Sequence, residues 1–102
     1  MYIVDHKFTK TGEDITTYAT EILNYARANR HEKLPDQEGY IGVTSTISED
    51  KTSLIISIYW ESNDLRIAAN RILDDTVGTN TALIEYCNSA GVLYTKESKE
   101  IT

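Results

Sequence analysis

The chain has 102 residues, 40% hydrophobic and 25% charged, with ten Lys plus Arg against sixteen Asp plus Glu and a formal net charge of −6. That length holds one domain with one core, and the composition is that of a globular chain. The acidic balance argues against nucleic acid or an anionic membrane surface as partner; one cysteine, Cys87, excludes an internal disulfide; and no apolar run has the length that spans a bilayer. Met1 leads directly into a strand-like segment with no basic and then apolar leader, so the expected compartment is the cytoplasm.

Met1 to Phe8 alternates, with Tyr2, Val4, His6 and Phe8 on one face and Ile3, Asp5 and Lys7 on the other, the two-residue period of a strand. Thr11 is placed to cap a helix, with Asp14 reaching back to it. Ile15, Tyr18, Ala19, Ile22, Leu23 and Ala26 then form one stripe of an amphipathic helix running to about Arg30. His31 to Gly39, with the only proline, Pro35, reads as a loop.

Tyr40 to Ile47 reads as a second strand, with Ile41, Val43 and Ile47 on one side and Tyr40, Thr44 and Thr46 on the other. After a polar turn, Leu54 to Trp60 is the strongest strand pattern in the chain, and the two should form a hairpin. Ser62 or Asn63 caps the next helix, striped by Leu65, Ala68, Ala69, Ile72 and Leu73 and ended by Gly78. A shorter helix follows from about Thr79 to Ala90, with Gly91 as its left-handed terminator. Val92 to Lys96 makes a last strand, and residues 97–102 read as a polar, frayed tail.

Strand, helix, strand, strand, helix pair, strand is the order of an α+β ferredoxin-like domain (βαββαβ). Its four-stranded antiparallel sheet carries helices on one face, and its first and third strands are central neighbours. The third strand is apolar on both faces, Leu54, Ile56, Ile58 and Trp60 on one and Ile55 and Tyr59 on the other. Helices cover one face only, so a homodimer packing sheet to sheet is expected, with Ile3 joining the second face.

Glu38-Gly39-Tyr40-Ile41-Gly42-Val43, followed by Ile56-Ser57-Ile58-Tyr59-Trp60-Glu61-Ser62, resembles the antibiotic biosynthesis monooxygenase-like domains of the dimeric α+β barrel group. The resemblance runs from Met1 to about Thr95. It implies a dimeric α+β barrel and a small-molecule enzyme, with cofactor-independent oxidation of an aromatic or apolar substrate among the family's activities. Catalytic members often place an Asn on the first strand and a His on a later helix. This chain has Asp5 and His6 on that strand and no histidine after His31, a departure from the haem-degrading branch.

His6 is the candidate catalytic residue: it shares the helix-facing side with Tyr2, Val4 and Phe8, where a neutral imidazole could act as general base. The other reading of His6 is a core histidine hydrogen-bonded to a carbonyl or a tyrosine. Trp60 closes one end of the pocket, suiting a flat or apolar ligand, with Tyr2, Val4 and Ile58 beside it. Tyr18, Tyr86 and Tyr94 are candidates for the pocket wall and Asn70 for its rim. Cys87 has no neighbouring base, neither histidines nor carboxylates show metal-ligand spacing, and no cofactor motif is present. The expected partners are a second copy of the chain and a small apolar or aromatic ligand, with no nucleic acid and no membrane. The alternative function is a non-catalytic dimeric module holding a fatty-acid-like metabolite, and a third is a structural dimer with a filled pocket.

Overall fold

The computed structural model describes residues 1–101, the side chain of Asn29 apart. In chain order the elements are β1 (Tyr2–Thr9), α1 (Thr16–Asn29), a 3-10 helix (His31–Asp36), β2 (Tyr40–Ile47), β3 (Ser53–Trp60), α2 (Asn63–Thr76), α3 (Thr81–Ala90) and β4 (Leu93–Glu100). The sheet order is β2-β3-β1-β4, every neighbouring pair antiparallel, so β1 and β3 are the central strands as the pattern predicts. This is the ferredoxin-like α+β arrangement.

The even residues of β1 and β3 face the helices and build the core. Phe8, Leu54 and Ile56 pack with Ile15, Ile22 and Ala26 of the α1 segment, while Val4, Ile58 and Trp60 pack with Leu34, Ala69 and Leu73. Two clusters side by side along one sheet face leave a seam between them, and the candidate site occupies it.

Four local expectations are corrected. The α1 amide of Thr16 bonds to Asp14 Oδ1 at 2.9 Å, so Asp14 and not Thr11 takes the capping role. The segment after α1 is not a loop: its 3-10 helix contains Pro35 and buries Leu34. Proline's fixed φ suits so tight a helix, whose flanking bonds run from Lys33 N to Arg30 O and from Gln37 N to Leu34 O.

In β2 the pairing slips between Tyr40, opposite Trp60, and Gly42, opposite Tyr59. One extra residue at Ile41 inverts the facing of all that precedes it. Tyr40 therefore joins Val43 and Ile47 on the helix side, and its ring meets Trp60 edge-on at 5.9 Å. Finally, residues 97–100 are not frayed. β4 runs to Glu100, paired with Tyr2 of β1, and Ile101 N donates to Met1 O at 2.7 Å; Thr102 lies outside the described residues. An edge strand needs only a backbone partner, and the side chains of residues 97–100 are exposed.

Ser62 caps α2 by accepting from Leu65 N at 3.3 Å, and Gly91, at φ +71°, ends α3. No helix is long and apolar enough to cross a membrane.

Candidate functional site

Between the two core clusters lies a cavity of about 580 Å³, within the range of small-molecule pockets. Its floor is the helix-facing side of the sheet: Val4, His6, Ile56, Ile58 and Trp60 in the centre, Tyr94 and Lys96 from β4. Its walls come from the end of α1 (Ala26, Arg30), the 3-10 helix (His31, Leu34), α2 (Arg66, Asn70, Leu73) and α3 (Leu83, Cys87). Val4, Leu34, Ile58, Trp60 and Leu73 give the cavity an apolar side, while the charges of His31, Lys96 and Arg30 act on His6.

His6 Nδ1 lies 2.6 Å from the Tyr94 hydroxyl, and the two rings are nearly parallel. The cross-strand register produces this pair. His6 stands opposite Lys96, and Tyr94, opposite Phe8, is its diagonal neighbour on the same face. Burial, then the charges of His31, Lys96 and Arg30, outweigh the attraction of Asp5 and pull the His6 pKa from 6.5 to about 4. Burial likewise raises the Tyr94 hydroxyl above the usual phenol value. At neutral pH both groups are uncharged.

A neutral imidazole has one donor and one acceptor nitrogen. When Nδ1 donates to Tyr94, Nε2 carries a free lone pair and the phenol O–H is free to donate elsewhere, which is a base beside an acid. When Tyr94 donates to Nδ1, Nε2 is the donor. When Nε2 takes a proton, the Nδ1 proton can pass to the Tyr94 oxygen as the phenol gives its own proton up, which turns the first arrangement into the second; the pair thus accepts one proton and delivers another.

His31 also lines the cavity, and burial with the charges of Arg30 and Arg27 lowers its pKa to about 4. Arg30 holds the wall together. Its Nη1 meets Asp74 Oδ1 at 2.5 Å and Gly78 O at 3.0 Å, and its Nη2 meets Asn70 Oδ1 at 3.2 Å. One guanidinium thereby ties the end of α1 to the end of α2. Asn80 adds a second tie, donating to Tyr25 O at 3.2 Å while its Oδ1 accepts from Leu83 N at the start of α3.

Val4, His6, Ile58 and Trp60 line the cavity together, as the two-residue period predicts, and so do Tyr94 and Asn70. Tyr2, Tyr18 and Tyr86 do not. Tyr2 shares the floor's face but sits beyond its end, with the Arg66 guanidinium 5.3 Å from its ring centre. Tyr18 packs on the outer side of the first core cluster and its hydroxyl bonds to Glu13 at 3.1 Å. Tyr86 packs on the same cluster, its ring 5.3 Å from that of Tyr25. Helical stripes fix which side is buried but not which buried residues reach a seam. Arg30, His31, Asp74 and Lys96 escape sequence reading because their chain neighbours look like solvated surface.

Cys87 is buried, and burial raises its thiol pKa. Among the described residues no group of three or more His, Cys, Asp or Glu is placed to hold a metal ion.

No protein-family model matches the sequence, and no curated protein does. Solved structures do match in shape. A dimeric ferredoxin-like protein from an uncultured marine organism aligns over 99% of this chain and 95% of its own, with a TM-score of 0.68 at 10% identity. The chain has that fold. A candidate antibiotic biosynthesis monooxygenase from Deinococcus radiodurans aligns over 100% of this chain and 93% of its own, with a TM-score of 0.65 at 12% identity. The cofactor-independent oxygenase SnoaB from Streptomyces nogalater aligns over 99% and 92%, with a TM-score of 0.51 at 10% identity. The ferredoxin-like sheet and helices are thus common to all three, and the resemblance read from the second and third strands points to the same group of structures.

Proposed function

We propose that the protein is a small-molecule enzyme of the antibiotic-monooxygenase-like kind, in which His6 removes a proton from an aromatic substrate held under Trp60. The observation that carries this reading is the His6–Tyr94 pair, 2.6 Å apart on the floor of a largely apolar cavity. A base that is neutral at physiological pH, next to a hydroxyl that can polarise a carbonyl, suits the formation of an enolate or phenolate. Such an electron-rich anion can itself reduce dioxygen, so the reaction asks no redox cofactor of the chain. A fatty-acid-binding module is less well supported, since holding an alkyl chain makes no use of the proton-transfer pair of His6 and Tyr94.

Oxygen uptake with anthrone as probe tests this. Anthrone and dioxygen give anthraquinone and water, a balanced exchange of the two methylene hydrogens for one oxygen atom. Wild type should consume oxygen without added flavin or metal, H6A should lose about a hundredfold in rate, and Y94F should lose less. Equal rates in wild type and H6A, or no uptake at all, would sink the role of His6.

The same reading includes a homodimer. Ile3, Ile55 and Tyr59 lie on the sheet face away from the helices, between polar pairs such as Asp5–Ser57 and Thr44–Tyr59. A second copy would cover that mixed face. Native mass spectrometry should give twice the 11.5 kDa chain mass; a monomer at micromolar concentration would be evidence against it.

A further inference from the structure

The charge around the cavity runs against the charge of the chain. Acidic residues outnumber basic ones sixteen to ten overall, yet the cavity is lined by Arg30, Arg66 and Lys96 with Asp74 as the sole carboxylate. Asp74 is already taken by Arg30 at 2.5 Å. The other ion pair among the described residues, Lys10–Glu13, lies elsewhere, which leaves Lys96 and Arg66 without a carboxylate partner.

Arg66 has other company: its Nε donates to Asn63 Oδ1 at 2.8 Å and its plane lies over Tyr2. Among the described residues Lys96 has no such contact. It stands directly opposite His6 across the β1–β4 pair, on the same sheet face and beside Tyr94, where side chains are roughly 5 Å apart at Cβ. An ammonium at the solvent-facing edge of this cavity, with no carboxylate paired to it among the described residues, is placed to meet an anion that enters. Since it stands alone, it matches a single oxyanion better than a phosphate, which selects several donors.

From this placement we infer that the ligand is an aromatic oxyanion, a carboxylate or an ionised phenol, with Lys96 as the residue that selects its charge. The ring system lies against Ile58, Trp60, Leu34 and Leu73, and the oxygen lies between Lys96 and the His6–Tyr94 pair. This inference rests on the cavity being a small-molecule site, and it adds what that site prefers.

Isothermal titration with 2-naphthoate and with 2-naphthamide separates charge from shape, since the two differ little in size. Naphthoate should bind about tenfold more tightly, the margin expected between a charge-assisted and a neutral hydrogen bond. The preference should shrink in 1 M salt. K96Q should bring the two affinities together, weakening naphthoate more than naphthamide, and K96R should restore the gap. Lys96 is exposed on an edge strand, so both variants should keep the wild-type thermal midpoint. Equal affinity for the two ligands in wild type, or a preference that survives K96Q, overturns the inference and leaves the aromatic pocket standing. Binding of neither ligand overturns both.

Discussion

Between pH 6.5 and pH 4 the protein should lose stability steeply, by up to about 2.7 kcal/mol per pH unit where His6 and His31 both titrate. Solvent screening of the partly exposed rings will reduce that slope. Each histidine has a native pKa near 4 against an ordinary value of 6.5. Over that window the unfolded chain binds protons that the native chain refuses, so acid favours unfolding. Above pH 6.5 both states hold neutral imidazoles and the effect vanishes; below about 4 both are charged and the slope levels off.

The first cause is burial beside the cavity. The second is charge: His31, Lys96 and Arg30 oppose protonation of His6, and Arg30 and Arg27 oppose that of His31. Urea midpoints measured at half-unit steps from pH 7 to pH 4.5 check the slope. H6Q and H31Q should each flatten it by about half, and the double variant should retain only the carboxylate contribution at the acid end. Asp14 and Asp50, held below the usual carboxylate range by bonds from Thr16, Ser48 and Thr52, supply part of that remainder. An unchanged midpoint from pH 7 to pH 5 would show that the histidines charge freely, and the neutral base proposed for catalysis would go with it.

Much of the fold was legible because its two central strands carry a strict alternation. Val4, Phe8, Leu54, Ile56, Ile58 and Trp60 all fall on the helix side, and all are buried. Where that signal fails, the reason is specific. Residues Glu97 to Glu100 have no apolar face to read, yet they complete β4 because backbone pairing with β1 suffices. The bulge at Ile41 leaves no mark in a run that alternates plausibly in either register, and it decides which side Tyr40 takes.

The candidate site was legible only where it coincides with the sheet. His6, Trp60 and Tyr94 sit on strands whose faces follow from counting by two. Arg30, His31 and Lys96 arrive from a helix end, a 3-10 helix and an edge strand, separated by up to 66 residues (Arg30 to Lys96). Only tertiary packing brings them round one imidazole. Their composition alone reads as solvated charge, since lysine and arginine are rarely interior, and the cavity's reversal of the chain's acidic balance has no counterpart in any local window.

Gly39→Ala should be among the most damaging single-methyl changes in the chain, costing about 2–5 kcal/mol. Two independent penalties act there. The backbone is held at φ +88°, where a residue with a Cβ costs about 1–2 kcal/mol. The added carbon would also lie 2.6 Å from Leu65 Cβ and 2.7 Å from Leu65 Cδ1. Those atoms belong to the first turns of α2 and cannot swing away without disturbing that helix; such overpacking costs about 1–3 kcal/mol. Gly39 O meanwhile accepts from Glu61 N at 2.8 Å, so the turn into β2 cannot simply recede. Gly12→Ala is the control: φ is +77°, but a Cβ there meets nothing within 4 Å, so only the backbone penalty remains. Urea unfolding of both variants should put Gly39→Ala well below Gly12→Ala, and L65A in the Gly39→Ala background should recover part of the difference through relief of the clash. Equal losses for the two glycines would mean that α2 yields to the extra carbon. The contact would then set no limit on how closely the β2 turn approaches the helix that walls the cavity.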